Sequence, residues 1–409
     1  MKHVKCMLLA GLLCGLFGMK LYAQQETSKI DSAELKLRQN YTKREVMIPM
    51  RDGVKLFTSI YEPKDRSEKH PILMMRTPYS CEPYGDKFGI KENIYTQNRY
   101  ILVYQDIRGR HKSEGEFVQI RPLNKNKKSK KDIDEATDTY DTIEWLLKNT
   151  YNNGNAGTWG ISYDGFQATM TASSNHPALK AVSPQGPVTD WFRGDDRHHN
   201  GAFTFLQTTN FLPWLEGRHA GKGVMKEIVK NDVYTDFLRL GTFKDADALV
   251  QDTTETLWNL IKKHPNFDAF WQERDARQSC YNLKPAMLVA GGLFDSEDCY
   301  GAWNTYKAIK VARNRTLSGL WSVVARSMDS SRFRRLREYL FREKYLEVLS
   351  GRNRISILPL LPGRKRRKAE TSCECVPYWK ERMGICRRMA ASGDAADTVL
   401  YSWRRFCLY

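Results

Sequence analysis

Short apolar runs recur along the first three quarters of the chain, and most are bounded by glycine, proline or charged residues. Such runs predict β-strands, here at residues 46–49, 54–61, 72–75, 100–104, 156–161, 179–182 and 285–290. Arg51-Asp52-Gly53 separates the first two runs as a hairpin turn. Apolar residues at helical spacing predict a helix over residues 132–148. Strands alternating with helices indicate an α/β fold with a mainly parallel sheet.

One segment, Gly160-Ile161-Ser162-Tyr163-Asp164-Gly165, ends the apolar run 156–161 and precedes a helix-compatible run. A strand, a sharp turn and a helix form a nucleophile elbow, in which the serine hydroxyl projects at the helix N-terminus. Side chains at the two glycine positions would collide with the neighbouring strand and helix. We therefore predict that Ser162 is a catalytic nucleophile. The alternative is an ordinary strand–turn–helix connection with a serine N-cap.

A serine hydrolase also needs a base for the serine proton, an acid that orients the base, and donors for the oxyanion. Asp295 follows the strand predicted at residues 285–290 and is the expected acid, although a solvated acidic loop has the same pattern. The backbone N–H of Tyr163 is one expected oxyanion donor. The hydroxyl of Tyr79, in a loop after an earlier strand, is the other.

The histidine base is missing from its expected place. In this fold the histidine follows the acid in the chain, yet the last of the eight histidines is His264, and Asp295 comes after it. His198 and His199 lie in a region rich in aromatic and charged residues, also before the acid. Either would serve as the base only in an unusual topology.

Several ordered segments carry a resemblance to a known family. They are Arg51-Asp52-Gly53-Val54-Lys55-Leu56, Arg76-Thr77-Pro78-Tyr79, Gln105-Asp106-Ile107-Arg108-Gly109, the elbow segment and Gly292-Leu293-Phe294-Asp295. Together they resemble the CocE/NonD hydrolases, the group of cocaine esterase, the Xaa-Pro dipeptidyl-peptidases and the cephalosporin acylases. Residues 190–200 are similar to one branch, the α-amino-acid ester hydrolases, also called glutaryl-7-aminocephalosporanic acid acylases.

The resemblance implies an α/β-hydrolase fold with a helical cap and a C-terminal β jelly-roll. It assigns Ser162 as nucleophile, Asp295 as triad acid, and Tyr79 and Tyr163 as the oxyanion hole. Its ester hydrolase branch implies that three carboxylates, those of Asp196, Glu297 and Asp298, bind the substrate's α-ammonium group. Converging carboxylates bind a cation and reject a free carboxylate. For Asp196 the alternative is a surface ion pair with Arg197. The resemblance implies no metal and no organic cofactor.

The chain divides into five segments. Residues 1–23 have the positive start, apolar stretch and small-residue exit of a signal peptide, so we expect a periplasmic or secreted protein without membrane contact after cleavage. Residues 24–189 and 281–310 form the two parts of the hydrolase domain, and residues 190–280 form the helical cap. Residues 311–409 form an aberrant basic tail.

The tail carries most of the net charge of +18, since residues 311–409 hold 22 lysines and arginines against 9 acidic residues. The family places its histidine in a Gly-Pro-Trp-x-His-Gly loop after the acid, but residues 318–324 read Ser-Gly-Leu-Trp-Ser-Val-Val. Neither this loop nor the alternating strands of the jelly-roll occur in the tail. We therefore hypothesise a frameshift in the gene or its assembly, and little turnover by the chain as written.

The predicted function is that of a secreted serine hydrolase for small α-amino-acid esters, amides or peptides. It transfers the acyl group from Ser162 to water or to a β-lactam amine. An Xaa-Pro dipeptidyl-peptidase or a cocaine-esterase-like hydrolase is the alternative among enzymes. A non-catalytic binding protein with a basic tail is the alternative from another class, but export argues against a nucleic-acid partner. The sequence leaves homo-oligomerisation open.

Overall fold

A computed structural model describes residues 32–216, 233–242, 245–248, 257–292, 295–311 and 318–323. The predicted signal peptide and most of the predicted tail lie outside these residues. No helix within these ranges is long and apolar enough to cross a membrane.

The described chain is built around an eight-stranded sheet. Its strands are β1 (Tyr41–Pro49), β2 (Lys55–Pro63), β3 (His70–Thr77), β4 (Ile101–Asp106), β5 (Asn152–Ser162), β6 (Leu179–Pro187), β9 (Ala286–Gly292) and β10 (Ser318–Val323). They lie in the order β1-β2-β4-β3-β5-β6-β9-β10. The two outermost pairs on one side, β1 with β2 and β2 with β4, are antiparallel, and the other neighbours are parallel. A separate hairpin pairs β7 (His198–His199) with β8 (Ala202–Phe203). The predicted mainly parallel sheet is confirmed.

The first two strands form the predicted hairpin, in which Pro49 faces Lys55 across the ladder. Gly53 closes the turn at a φ of +92°, where a side chain would be strained. The Met50 N–H bonds to the Val54 carbonyl at 2.8 Å and completes the turn.

Helices cover both faces of the sheet and build the region above its end. They are α1 (residues 32–40), α2 (Ile94–Gln97), α3 (Glu135–Asn149), α4 (Tyr163–Ala172), α5 (Phe205–Glu216), α6 (Val233–Leu240), α7 (Leu257–Lys263), α8 (Ala269–Glu273) and α9 (Cys299–Val311). The helix predicted at residues 132–148 is α3, and it begins three residues later than predicted. Asp134 caps it by accepting a 2.9 Å bond from the Thr137 N–H.

Residues 190–280 contribute helices and the small hairpin, and no described residue among them joins the main sheet. Their apolar side chains pack on the elbow helix: Trp191, Leu212 and Trp258 share one core cluster with Tyr163 and Phe166. This arrangement fits the predicted helical cap. Within residues 190–280, residues 217–232, 243–244 and 249–256 lie outside the described ranges.

The sheet continues beyond residue 310, where the second part of the hydrolase domain was predicted to end. Ser318–Val323 forms β10 and pairs in parallel with β9, from Ser318 opposite Met287 to Val323 opposite Gly292. The predicted boundary at residues 310–311 therefore falls before the last strand of this sheet.

Candidate active site

Ser162 lies at the junction between the end of β5 and the start of α4, as the elbow prediction requires. Its backbone has φ +60° and ψ −120°, a left-handed conformation that L-residues rarely adopt. Ser162 stands at the N-cap position of α4, but its side chain makes none of the capping bonds that the alternative interpretation requires. The hydroxyl is left available for chemistry at the helix N-terminus.

Two glycines allow this geometry. A Cβ on Gly160 would overlap the Asp164 backbone in the first turn of α4. A Cβ on Gly165 would lie 2.8 Å from both the Gln185 carbonyl oxygen and the Pro187 Cα of β6. The second glycine stands three residues after the serine, because that position of the helix faces the neighbouring strand.

Both tyrosines predicted for the oxyanion hole lie at the elbow. Tyr79 follows β3, and its ring packs edge-on against Tyr163 and Phe211 at centroid distances of 6.2 and 6.4 Å. Burial raises the pKa of the Tyr79 hydroxyl, the charges of Asp164 and Asp196 raise it further, and its contact with Ser162 lowers it. A buried neutral hydroxyl beside the nucleophile suits an oxyanion donor.

Tyr163 offers its backbone N–H at the start of α4, while its side chain is used elsewhere. The phenol oxygen accepts a 2.7 Å bond from the Ile120 N–H and donates to Gln119 at 3.2 Å. This pairing holds the elbow helix to the loop before α3 and leaves the ring inside the core.

Asp295 lies after β9, as predicted for the triad acid. Its Oδ1 accepts bonds from the backbone N–H groups of Glu297 and Asp298, at 3.0 and 2.9 Å. These bonds shape the turn that carries the next two acids toward the site. Asp295 is thus placed at the expected strand end, and its described bonds are to backbone.

The three carboxylates predicted to bind an ammonium group come together. The charge of Asp196 acts on both Glu297 and Asp298 and raises the pKa of each, after the larger effect of burial. Asp196 is 6% exposed and accepts bonds from Trp191 Nε1 at 2.7 Å and from Gln207 Nε2 at 3.2 Å. A cation entering this cluster would relieve the repulsion among the acids.

A neighbouring acid, Asp195, assembles the cluster. Its two carboxylate oxygens accept bonds from three backbone N–H groups: Thr189 at 2.9 Å, Asp190 at 2.8 Å and Gly301 at 2.7 Å. These bonds tie the segment after β6 to the first turn of α9. Asp196 and Asp298 flank the tied segments, so both reach the elbow.

Arg197 is buried rather than paired on the surface with Asp196, which contradicts the alternative interpretation of that pair. Arg197 is 1% exposed, and its guanidinium lies over the rings of Trp191 and Phe211 at 4.9 and 4.7 Å. Its charge lowers the pKa of Glu297. The cluster thus contains a buried cation that the motif analysis did not assign.

Two further residues at the site were also missed. Asp164, inside the elbow motif, is buried, and burial raises its pKa to about 8. Arg110 donates to the Pro78 carbonyl at 3.0 Å and to the Leu215 carbonyl at 2.5 Å, so it joins the Tyr79 loop to α5 of the cap region. The sequence offered one clue to Arg110. It stands in a charged run between two glycines directly after a strand, which places it at the end of the sheet.

The histidines in the described ranges are occupied away from Ser162. His198 is packed against Phe192, Phe203 and Trp271, and its Nδ1 lies 3.1 Å from the Trp191 carbonyl. His199 is exposed. The other four contact Asp65, Pro78, Glu144 and Asp268. The structure therefore does not bring His198 or His199 into the position of a triad base.

Known proteins share this architecture. The family model described as X-Pro dipeptidyl-peptidase (S15 family) matches residues 52–322. A cocaine esterase of Rhodococcus sp. (strain MB1 Bresler) is 28% identical over 298 residues, which are 68% of this chain and 48% of that protein. An Xaa-Pro dipeptidyl-peptidase of Lactiplantibacillus plantarum is 23% identical over 59% of this chain and 30% of its own length. The chain spans at most about half the length of these relatives.

Two solved structures are similar at higher identity. An α-amino acid ester hydrolase superposes with a TM-score of 0.62 at 36% identity, over 69% of this chain and 48% of that chain. An aminopeptidase from the marine sediment archaeon Thaumarchaeota archaeon superposes with a TM-score of 0.65 at 32% identity, over 76% and 55% of the two chains. With its elbow, sheet order and family match, the chain belongs to the X-Pro dipeptidyl-peptidase (S15) family and to the CocE/NonD group of serine hydrolases.

Proposed function

We propose that this protein is an acyl-transferring serine hydrolase whose substrates carry a free α-ammonium group next to the scissile ester or amide. Ser162 would form the acyl-enzyme, and water or a β-lactam amine would take the acyl group. The single observation that carries the proposal is the convergence of Asp196, Glu297 and Asp298 beside the Ser162 elbow.

The electrostatics of the cluster support a cationic ligand. Burial raises the pKa of both Glu297 and Asp298, and the charges of their acidic neighbours raise it further, so full ionisation of the cluster is disfavoured without a counter-charge. Arg197 supplies part of this counter-charge, but it forms no described hydrogen bond to the acids. An α-ammonium group offers both the remaining charge and three N–H donors.

The oxyanion would be held by the Tyr163 N–H and the Tyr79 hydroxyl, both of which lie at the elbow. Asp295 would be the triad acid, orienting a histidine that none of the described residues supplies at the site. We therefore propose that the chain as written turns over slowly, because loss of the triad histidine costs about 10⁶-fold in rate. The signal-like residues 1–23 support a periplasmic or secreted location.

A binding experiment tests the substrate class without requiring turnover. Calorimetric titration would compare phenylglycine amide with its N-acetyl derivative, which lacks the positive charge. We expect the cationic amide to bind at least about tenfold more tightly, and D196N to remove most of that preference. Equal affinity for the two amides in the unaltered protein would exclude the ammonium site.

The similarity to Xaa-Pro dipeptidyl-peptidases supports a second candidate, since such a substrate also carries a free α-ammonium group. Comparing release of the leaving group from Ala-Pro-anilide and from an α-amino-acid ester separates the two activities. We expect the ester to react faster, since the branch-specific resemblance of residues 190–200 is to the ester hydrolases.

A further inference from the structure

Helix α5 lies between the acid Asp196 and the loop that carries Tyr79. We propose that α5 couples the binding of an α-ammonium group to the placement of the oxyanion donor Tyr79, and that Arg110 is the positioning residue that makes this connection. Both roles rest on the proposed function, which supplies the ammonium site and the oxyanion role of Tyr79.

The N-terminal end of α5 is anchored on Asp196. The Thr204 hydroxyl, directly before the helix, donates to the Asp196 backbone carbonyl, and the Thr208 N–H bonds to the Thr204 carbonyl at 3.1 Å in the first turn. From inside the helix, Gln207 Nε2 donates to the Asp196 carboxylate at 3.2 Å. A ligand that bonds to this carboxylate therefore acts on the group that holds the start of α5.

One face of α5 continues from Asp196 to the oxyanion loop. Gln207, Phe211 and Leu215 are spaced four residues apart, so they lie on the same side of the helix. The helix rises by about 12 Å from the first to the last of them. In the middle, the Phe211 ring packs edge-on against the Tyr79 ring at a centroid distance of 6.4 Å. Tyr79 thus contacts the helix that starts at Asp196.

Arg110 fastens the other end of α5 to the same loop. Its Nε donates to the Pro78 carbonyl at 3.0 Å, and its Nη2 donates to the Leu215 carbonyl at 2.5 Å. Leu215 lies in the last turn of α5, where carbonyls have no partner within the helix. The Pro78 carbonyl belongs to the peptide bond between Pro78 and Tyr79. Because Arg110 is 5% exposed, both bonds lie in the interior, and one guanidinium joins the two segments.

The next residue in the chain supplies a matched control. His111 Nε2 donates to the same Pro78 carbonyl at 2.9 Å, but no described hydrogen bond joins His111 to α5. Of these two donors to Pro78, Arg110 is the one that also bonds to α5. The geometry therefore separates a residue that holds the loop from a residue that connects the loop to the helix.

This connection gives an ammonium ligand a way to act on the oxyanion hole. Packed side chains and continuous helices carry energetic coupling between sites, and α5 is one continuous helix between its two anchors. A displacement of Asp196 toward an ammonium group is passed along α5 to Arg110 and Phe211, and from them to the Tyr79 loop. Ligands with an α-ammonium group should therefore order this loop, and neutral analogues should not. Arg110 would thus contribute to specificity without touching the ammonium group.

Hydrogen exchange followed by mass spectrometry tests the connection in the full-length chain. The ligand is phenylglycine amide at a concentration that saturates each variant, as calorimetry determines. Its N-acetyl derivative at the same concentration is the neutral control. We expect the cationic amide to slow exchange in peptides that cover residues 79–81 by about fivefold, and the neutral amide to leave it unchanged.

Variants of the two donors to Pro78 make the test specific. In R110M the cationic amide should still slow exchange in α5, but the response of residues 79–81 should fall below about twofold. H111N keeps Arg110, so its response should match that of the unaltered chain. A purely structural role of Arg110 would speed exchange without ligand but would leave the response to the ligand intact. If R110M does not fold, R110K replaces it, since lysine keeps the charge but lacks the planar fork of donors.

Three results would overturn the inference and leave the ammonium site in place. The first is a loop response that persists in R110M, or in R110K where R110M does not fold. The second is a bound amide that slows exchange in α5 but not in residues 79–81 of the unaltered chain. The third is an equal loss of the response in R110M and H111N. If calorimetry detects no binding of the cationic amide to the unaltered chain, the proposed function fails and the coupling fails with it.

Discussion

The backbone of Ser162 stores strain that its function explains. The pair of angles φ +60° and ψ −120° belongs to the first central position of a type II′ turn, which glycine favours. Holding an L-residue there costs about 1–3 kcal/mol. The sheet and α4 impose this cost so that the hydroxyl projects from the turn.

Replacing Ser162 should therefore separate activity from stability. Both S162A and S162G lose acylation, but S162G should be more stable than S162A by about 1 kcal/mol, because glycine adopts positive φ without strain. Urea unfolding measures the difference. Ser173, at φ −70°, is the matched control, where glycine should be less stable than alanine. An S162G protein no more stable than S162A would show that the turn is unstrained.

Asp164 predicts a pH-dependent stability. Its pKa rises from 3.8 to about 8 in the folded protein because burial disfavours the charge, with Thr77 opposing this weakly. The folded state keeps the proton that the unfolded state loses. The contribution of Asp164 to the free energy of unfolding is therefore fully present below about pH 4. It falls by about 1.4 kcal/mol per pH unit as the pH rises toward 8.

The variant D164N should remove this slope. Between pH 5 and 7 the unfolding free energy of the unaltered protein should fall relative to that of D164N, and urea midpoints at both pH values measure the difference. The comparison isolates Asp164, because both proteins keep the other acids of the site. Parallel curves for the two proteins would mean that Asp164 is ionised in the folded state.

The residues that meet at Ser162 were predictable only in part. Tyr79, Asp295 and Asp298 follow strand ends in recognisable motifs, so their positions could be predicted from the sequence. The burial of Asp164 and Arg197 could not, because it depends on packing against Thr77 and Phe211, which belong to other elements of the fold. Motifs indicate which residues come together, whereas packing of distant elements decides which of them are charged.

At the scale of elements, two motif residues have a structural role. Arg108, after β4, bonds to Asp52 in the β1–β2 turn at 2.7 Å and to Asp138 of α3 at 2.6 Å. Its side chain is 4% exposed and that of Asp138 is 1% exposed. The two motifs that contain Asp52 and Arg108 therefore serve to join the hairpin, β4 and α3.

Breaking this junction should be costly. R108M removes the cation from Asp52 and leaves Asp138 with only the longer 3.8 Å contact to Arg76. Removing one partner of a buried pair costs about 3–5 kcal/mol. K36M, which breaks the exposed pair of Lys36 with Glu92, is the matched control and should cost less than about 1 kcal/mol. Thermal and urea unfolding compare the two variants. Similar losses for both would show that the Arg108 network adds no more than a surface contact.

At the scale of the whole molecule, the sequence predicted the inner strands of the sheet well but missed the edge strand β10. The buried strands are apolar runs with clear ends, so their order along the chain follows from the sequence. The last strand, β10, was missed because the segment Ser318–Val323 contains serine and glycine and lies past the change in composition. Its place in the sheet comes from pairing with β9, a long-range contact that local patterns do not encode.

The position of β10 also sharpens the frameshift hypothesis. The family match reaches residue 322 and the sheet reaches Val323, so a change of reading frame should lie at or after this point rather than at residue 310. The family's histidine loop would then follow Val323 in the chain.

Resequencing the gene across codons 300 to 420 and translating all three frames tests this directly. We expect another frame to give Gly-Pro-Trp-x-His-Gly soon after Val323, followed by alternating strands. The protein expressed from the corrected frame should then cleave an α-amino-acid ester about 10⁶-fold faster than the present chain, because the histidine completes the triad with Ser162 and Asp295. If independent sequencing confirms the present frame and no such loop lies downstream, the frameshift is excluded.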